Sequence, residues 1–442
     1  MRTLARHPLV VALLATLAAT TAAAPAVAAS SWTKPQAFPV GRNYEPVPRA
    51  AIASDGTSAV AYESKSGKLM LSTGRANGTF TAPKPIDQKG ALDWSVAARP
   101  GGGFVVVWED GDGIRVAVRA RSGAKTVVRR AVASNGEEID GVQVAADPLG
   151  GWVVAERQFR KGEGDHYWVR AFSLTTAGKL TGAVQDLGPG QFGIDARPTQ
   201  ALAVDAHGRA VLAYRQEIQT KGSLAYPILV TTRPHGGAFA APVQLGAADA
   251  ADPRVAVGSG GRALIAATQV VSSGDAGEFG SPVVARVGPA GALGTPFGPA
   301  ISNPARAFAP SAALTSQGRA VLVYQQKQSS QPFETRAPVF AVAIAAGGTV
   351  GPIQTLTTGL AKEPVVMALS GGRALTVWSG AKGIGASLAG PDGAFEKTAE
   401  PKGPPPPAFH TNSTNRDLRT GGRWAIFTWE ANGRVYSAVR GF

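Results

Sequence analysis

One short phrase recurs about eight times along this chain. An apolar run ends in a small or polar turn containing Gly, and a second apolar run follows, usually reaching an aromatic. In order, the copies read AAIASDGTSAVAY, SVAARPGGGFVVVW, VQVAADPLGGWVVAE, ALAVDAHGRAVLAY, RVAVGSGGRALIAA, SAALTSQGRAVLVY, VVMALSGGRALTVW and NRDLRTGGRWAIFTW. The turn glycines are Gly56, Gly102, Gly150, Gly208, Gly261, Gly318, Gly372 and Gly422, at intervals of 46, 48, 58, 53, 57, 54 and 50 residues. A repeat of about this length fixes the architecture before any site is considered.

Between markers the chain follows one plan. After the second run come a variable loop, a third run (KLMLSTG, IRVAVRA, PILVTTR), a Gly-containing turn and a weaker fourth segment such as FTAPKPID. Four strands meandering through about 50 residues make one blade of a β-propeller. Helical solenoids share the period, but these runs are Val-rich, four to seven residues long and broken by Gly and Pro, without helical spacing. The apolar second strands (AVLAY, VVVW) fit a strand covered on both faces. Pro48, Pro253, Pro310 and Pro364 each stand eight residues before a marker, where a first strand is expected to begin.

The ends of the chain bear on the number of blades. The last copy holds only three strands, around 416–419, 424–429 and 435–439. The early segment SWTKPQAFPVG resembles a fourth strand. The expectation is an all-β β-propeller of four-stranded antiparallel blades. Eight blades are expected, with the N-terminal strand 31–40 completing the last one so that no open edge remains. Seven is the alternative, with the segment after Pro404–Pro407 as a cap.

Residues 1–28 read as a secretory signal peptide. Arg2 and Arg6 precede an apolar stretch from Leu9 to Ala19, too short for a membrane span, and Ala26-Val27-Ala28 offers a cleavage site. Residues 29–442 are then a single propeller domain, secreted and expected to be monomeric. With no cysteine, the chain has no disulfide, thiolate metal site or cysteine nucleophile. The net charge is +14, or +12 without Arg2 and Arg6, which favours anionic partners such as cell-surface polymers. The basic residues form no run beyond Arg129-Arg130, so dedicated nucleic-acid binding is not expected.

Alternate turns of a meander emerge on opposite faces. The first-to-second turns are uniformly tight and mark a plain face. The long, polar second-to-third loops lie on the other, where ligand contact is expected. The candidate binding residues there close the second strands (Glu63, Glu109, Arg157, Arg215, Gln325 and Glu430) or open the blades (Asp195, Asp252, Glu363 and Arg416). Tyr62, Trp108, Tyr214, Tyr324 and Trp378 share one register and are expected to be wall residues. The run from Glu109 to Gly113 resembles a calcium loop in composition but lacks the ligand spacing, so an acidic hairpin turn is expected. The four histidines beyond the signal show no zinc spacing, and no G-x-S-x-G or P-loop occurs. No catalytic residue, metal or cofactor is assigned.

The repeat resembles secreted bacterial β-propeller proteins, of an actinobacterial type with D-x-x-G-R/N-A-V-V-x-W-like repeats. That resemblance is architectural and implies no chemistry. Sialidase Asp boxes, tryptophan-docking motifs and WD dipeptides are absent. The expected function is a binding or scaffold module, foremost for glycans or anionic cell-surface polymers. The alternatives are a glycoside hydrolase or lyase using paired carboxylates such as Glu63 and Glu109, and a protein–protein scaffold.

Overall fold

A computed structural model describes residues 31–39, 48–88, 90–91, 93–120, 124–134, 139–160, 166–190, 199–220, 223–246, 249–258, 260–274, 277–301, 307–327, 337–380, 383–398, 400–401, 416–431 and 434–442. The signal segment and Pro404–Pro407 lie outside the described residues. Among those described, the regular structure is antiparallel β, with one 3-10 turn at Ser370–Gly372. No helix among them is long and apolar enough to cross a membrane.

The strands form consecutive meandering units. The first holds Arg49–Ile52, Ser58–Glu63, Leu69–Gly74 and Lys84–Pro85. The second holds Trp94–Arg99, Gly103–Glu109, Gly113–Arg119 and Val127–Ala133, and the third Ile139–Ala146, Trp152–Arg160, His166–Leu174 and Leu180–Gly190. The fourth is Gln200–Val204, Ala210–Arg215, Ile228–Arg233 and Val243–Gln244, with a small hairpin, Ile218–Thr220 and Ser223–Ala225, in its second-to-third loop. The fifth has Ala250–Val257, Ala263–Gly274 and Gly277–Val287, with single bridges to Phe297 and Leu293 in the fourth place.

Next comes a seven-stranded sheet: Ala307–Leu314, Ala320–Gln326, Ala337–Ile344, Gln354–Ala368, Ala374–Gly380, Gly383–Ala389 and Phe395–Lys397. Its strand Gln354–Ala368 ends the sixth unit and begins the seventh. The eighth unit is Arg416–Gly421, Trp424–Ala431 and Arg434–Gly441, and its outer strand is the N-terminal Gln36–Pro39, with Phe38 opposite Val435.

The core is divided among the seams between consecutive units. In the second strand of the second unit, Val105 and Val107 pack toward the third unit, while Phe104, Val106 and Trp108 pack toward the first. A β-branched side chain suits both faces of such a covered strand. Similar apolar clusters fill each following seam. A last cluster joins Phe38, Ile426 and Val435 of the eighth unit to Ala50, Val60 and Tyr62 of the first. The first strands also neighbour one another in order, and that of the eighth unit neighbours that of the first. Side chains tie these strands: Ser95 Oγ accepts from Val144 N at 3.2 Å, Ser311 Oγ from Val366 N at 3.1 Å, and Asp417 Oδ2 from Ala50 N at 2.9 Å.

The marker turns are tight hairpins. Gly208 at φ 73° and Gly261 at φ 65° occupy the left-handed region that favours Gly. The prolines differ from expectation. Pro48 stands just before a strand, but Pro253, Pro310 and Pro364 lie inside first strands, each at a break in register. Pro has no N–H for the ladder, so the strand bulges around it. The residues before two of these prolines, Asp252 and Ala309, have φ of 54° and 50°. Gly141, nine residues before its marker as they are, sits at the matching bulge with φ 75°.

Candidate functional site

The second strands end on the long-loop side, and most of their terminal side chains are turned into the fold. Glu109 is 2% exposed, and its Oε1 accepts the Gly111 N–H at 2.5 Å. Arg157 is buried and donates to the Thr199 hydroxyl. Arg215 is buried with its guanidinium 4.6 Å from the Tyr226 ring centre. Gln325 is fully buried and donates to the Ala361 carbonyl at 2.5 Å. Glu430 is buried, and Asp252 is buried on its bulge. Glu63 is half-buried, and desolvation raises its pKa. Asp195 lies outside the described residues. Glu363 and Arg416 lie in strands, but their side chains are outside the description. The run from Glu109 to Gly113 is a hairpin turn, with Asp110 held by Arg115 and Asp112 by Arg130, both at 3.2 Å. Among the described residues, no group of three or more His, Asp or Glu is placed to hold a metal ion.

One position further in, each second strand presents a side chain to the preceding unit. This is the aromatic register read from the sequence. Tyr62, Trp108, Tyr214 and Tyr324 are at most 1% exposed there. Trp108 Nε1 donates to Asp87 Oδ2 at 2.5 Å and the Tyr214 hydroxyl to the Leu187 carbonyl at 2.9 Å, each reaching the outer edge of the preceding unit. Burial pushes the Tyr324 phenol up to about 12. Each aromatic faces a bulky third-strand residue: Met70, Arg115, Leu229 or Phe340.

Three units depart from this pattern. In the fifth the register holds Ala267, opposite Val283. In the third unit the register holds Glu156, fully buried opposite Arg170, which pairs with it and lies across the ladder from Asp186. Burial raises the Glu156 carboxyl despite the opposing effect of Arg170. In the seventh unit the register holds Trp378, whose cross-strand neighbour is Gly385. The indole lies against the Gly385 backbone in space that a Cβ would occupy. Its apolar neighbours are Val339, Ala361 and Leu356 of the sixth unit.

Beyond Trp378 the seam opens into a groove of about 510 Å³. This lies within the span of roughly 300–1,000 Å³ common for small-molecule sites. Its polar lining comes from Gln354 and Thr357 on the sixth unit's outer strand and from Ser387, Lys397 and Glu400 on the seventh. Gln354 is braced by the Gly393 carbonyl and the Phe395 N–H, both at 3.2 Å, and Ser387 donates to the Glu396 carbonyl at 2.9 Å. Lys397 and Glu400 form an exposed pair at 3.6 Å. Trp378, 8% exposed, is a wall residue as the sequence predicts. The missed signal was Gly385, read against Met70, Leu229 and Phe340 at the same place in other copies.

No family model matches the chain, and no curated protein matches it. Solved structures with similarity include a protein of unknown function from Dyadobacter fermentans, at 13% identity and TM-score 0.42, covering 69% of this chain and 95% of that one. An ulvan lyase described as a new family of polysaccharide lyase is similar at 11% identity and TM-score 0.47, covering 93% of this chain and 96% of its own. An α-L-arabinanase from Penicillium chrysogenum is similar at 10% identity and TM-score 0.44, covering 93% and 98%.

Proposed function

We propose that this chain is a secreted, eight-bladed β-propeller, closed by its N-terminal strand, that binds glycans in the groove floored by Trp378. The order of the seams supports the closed ring: apolar clusters run from unit to unit, and the last joins the eighth to the first. The observation that carries the binding reading is the pairing of Trp378 with Gly385 beside a polar-lined groove. A Trp ring offers an apolar face and an N–H at its edge. Sugar rings present the complement, an apolar C–H face ringed by hydroxyls. Thr357, Ser387 and the Lys397–Glu400 pair supply polar groups along the walls.

Binding is favoured over acid–base hydrolysis by Glu63 and Glu109. Glu109 is 2% exposed and holds its own turn through Gly111, so it presents no carboxylate to an open cleft. Glu63 and the second-to-third loops are proposed as an outer contact zone, with Arg157, Arg215, Gln325, Glu430 and Asp252 supporting those loops from within. Asp195, Glu363 and Arg416 belong to the same proposed zone. The test is a glycan array probed with the folded protein. Selective retention of oligosaccharides is expected, and a folded protein that retains none contradicts the reading.

A further inference from the structure

Lys and Arg are spread evenly along the sequence, but the topology gathers many of them on one side. The first-to-second turn carries Arg209, Arg262, Arg319, Arg373 and Arg423, each directly after its marker Gly. Contacts between turns place these hairpins on a common face. Arg209 donates to the Gly261 and Gly288 carbonyls of the next unit. Arg286 donates to Gly318 O at 3.2 Å and Ala345 O at 2.6 Å. Ser370 N donates to Gly422 O at 3.1 Å. The third-to-fourth turns of the same face add Arg75 and Lys179.

Two carboxylates of this face are buried against basic partners, one of them Arg209 itself. Asp205 is buried and paired with Arg209 at 3.1 Å, and Asp147 is buried against His235 at 2.7 Å. Asp55 and Asp392 remain exposed carboxylates, each accepting an N–H of its own turn. Arg75, Lys179 and Arg262 are exposed and have no ion pair among the described residues. Burial, and to a smaller extent the charge of Arg262, push the Arg286 guanidinium down. The opposite, loop-bearing ends carry both signs of charge, among them Glu63, Asp93, Arg157 and Arg215.

We infer that the hairpin face is a docking surface for a linear polyanionic polysaccharide, one bearing a carboxylate on most of its sugar units. Cations displayed unit after unit match a polymer with regularly repeated charge better than a small anion, which one pocket would satisfy. Two aromatics at this face, Trp424 and Phe442, carry Arg423 and Arg440 over their rings at 5.1 and 4.4 Å, so neither offers an open face for a stacked base. This surface is separate from the Trp378 groove and does not depend on it.

The test measures binding of the full chain to polygalacturonate across a salt series. Neutral dextran, duplex DNA and phosphatidylglycerol vesicles are run alongside. The variant combines Arg75→Glu, Lys179→Glu and Arg262→Glu, whose exposed side chains leave the core untouched. Wild-type protein is expected to bind polygalacturonate more tightly than the other three, with affinity falling as salt rises. The variant is expected to lose affinity about tenfold or more, equivalent to about 1.4 kcal/mol or more, while melting as the wild type does. Trp378→Ala is expected to bind polygalacturonate normally. Undiminished binding by the folded charge-reversal variant would overturn the inference, as would DNA or vesicles binding more tightly than polygalacturonate.

Discussion

Trp378 and Gly385 face each other across one antiparallel ladder, and the indole occupies the space that a side chain at Gly385 would need. The same place in four other units holds Met70, Arg115, Leu229 or Phe340. The missing side chain leaves room for the ring, which lines the groove at 8% exposure. Gly385→Ala should therefore push the indole away from the sheet. An overpacking cost of about 1–3 kcal/mol is expected, read as a lower urea midpoint. Glycan retention should weaken in the same variant. Unchanged stability and unchanged retention together would contradict the packing described.

Phe38 ties the start of the chain to its end. It is 1% exposed, with its ring centre 5.4 Å from that of Tyr62 and 5.7 Å from that of Phe80, while its strand pairs with Arg434–Gly441. Phe38→Ala should cost about 3–5 kcal/mol in equilibrium urea unfolding. A loss below about 1 kcal/mol, in the range of ordinary surface changes, would mean that the N-terminal strand does not close the last unit.

Asp417 joins the eighth unit to the first through the Ala50 N–H, and Arg419 Nε donates to its Oδ2 at 3.2 Å. Asp417→Ala leaves a buried N–H without its acceptor, a loss of about 1–3 kcal/mol. Hydrogen exchange at Ala50 should accelerate selectively. Unaltered protection there would exclude this bond as a tie between the two units.

Glu156 makes stability depend on pH. Burial raises its carboxyl in the folded chain above its unfolded value of about 4.3. The folded state thus binds the proton more tightly than the unfolded one. The resulting stabilisation is fully present below the unfolded pKa and is lost as pH rises through the raised folded value. Glu156→Gln cannot titrate and should remove that part of the slope. As pH rises from acid to neutral, the wild-type urea midpoint should fall relative to that of Glu156→Gln, and parallel curves would refute the shift.

Much of the fold could be read from the chain because each copy repeats the same local rule. Hairpin glycines such as Gly208 need positive φ, second strands such as that ending at Glu109 are apolar on both faces, and SWTKPQAFPVG carries the pattern of a missing outer strand. The site was harder to read. The residues after the second strands looked like an open ring because they are polar, yet Gln325 and Arg157 spend that polarity on carbonyls and hydroxyls inside the fold. The basic face was invisible for a different reason: Arg209, Arg262 and Arg319 lie more than fifty residues apart and meet only through the repeat. Trp378 was hidden by its likeness to Tyr214 and Tyr324, and only its cross-strand neighbour distinguishes it.

The glycan reading rests on the indole, so calorimetric titration with the best neutral oligosaccharide from the array tests it most directly. Wild type, Trp378→Phe and Trp378→Ala would be compared. Measurable binding by the wild type, weaker binding by Trp378→Phe and loss of about tenfold or more in affinity by folded Trp378→Ala, equivalent to about 1.4 kcal/mol or more, are predicted. Equal affinity across all three proteins would place the sugar elsewhere and contradict the account.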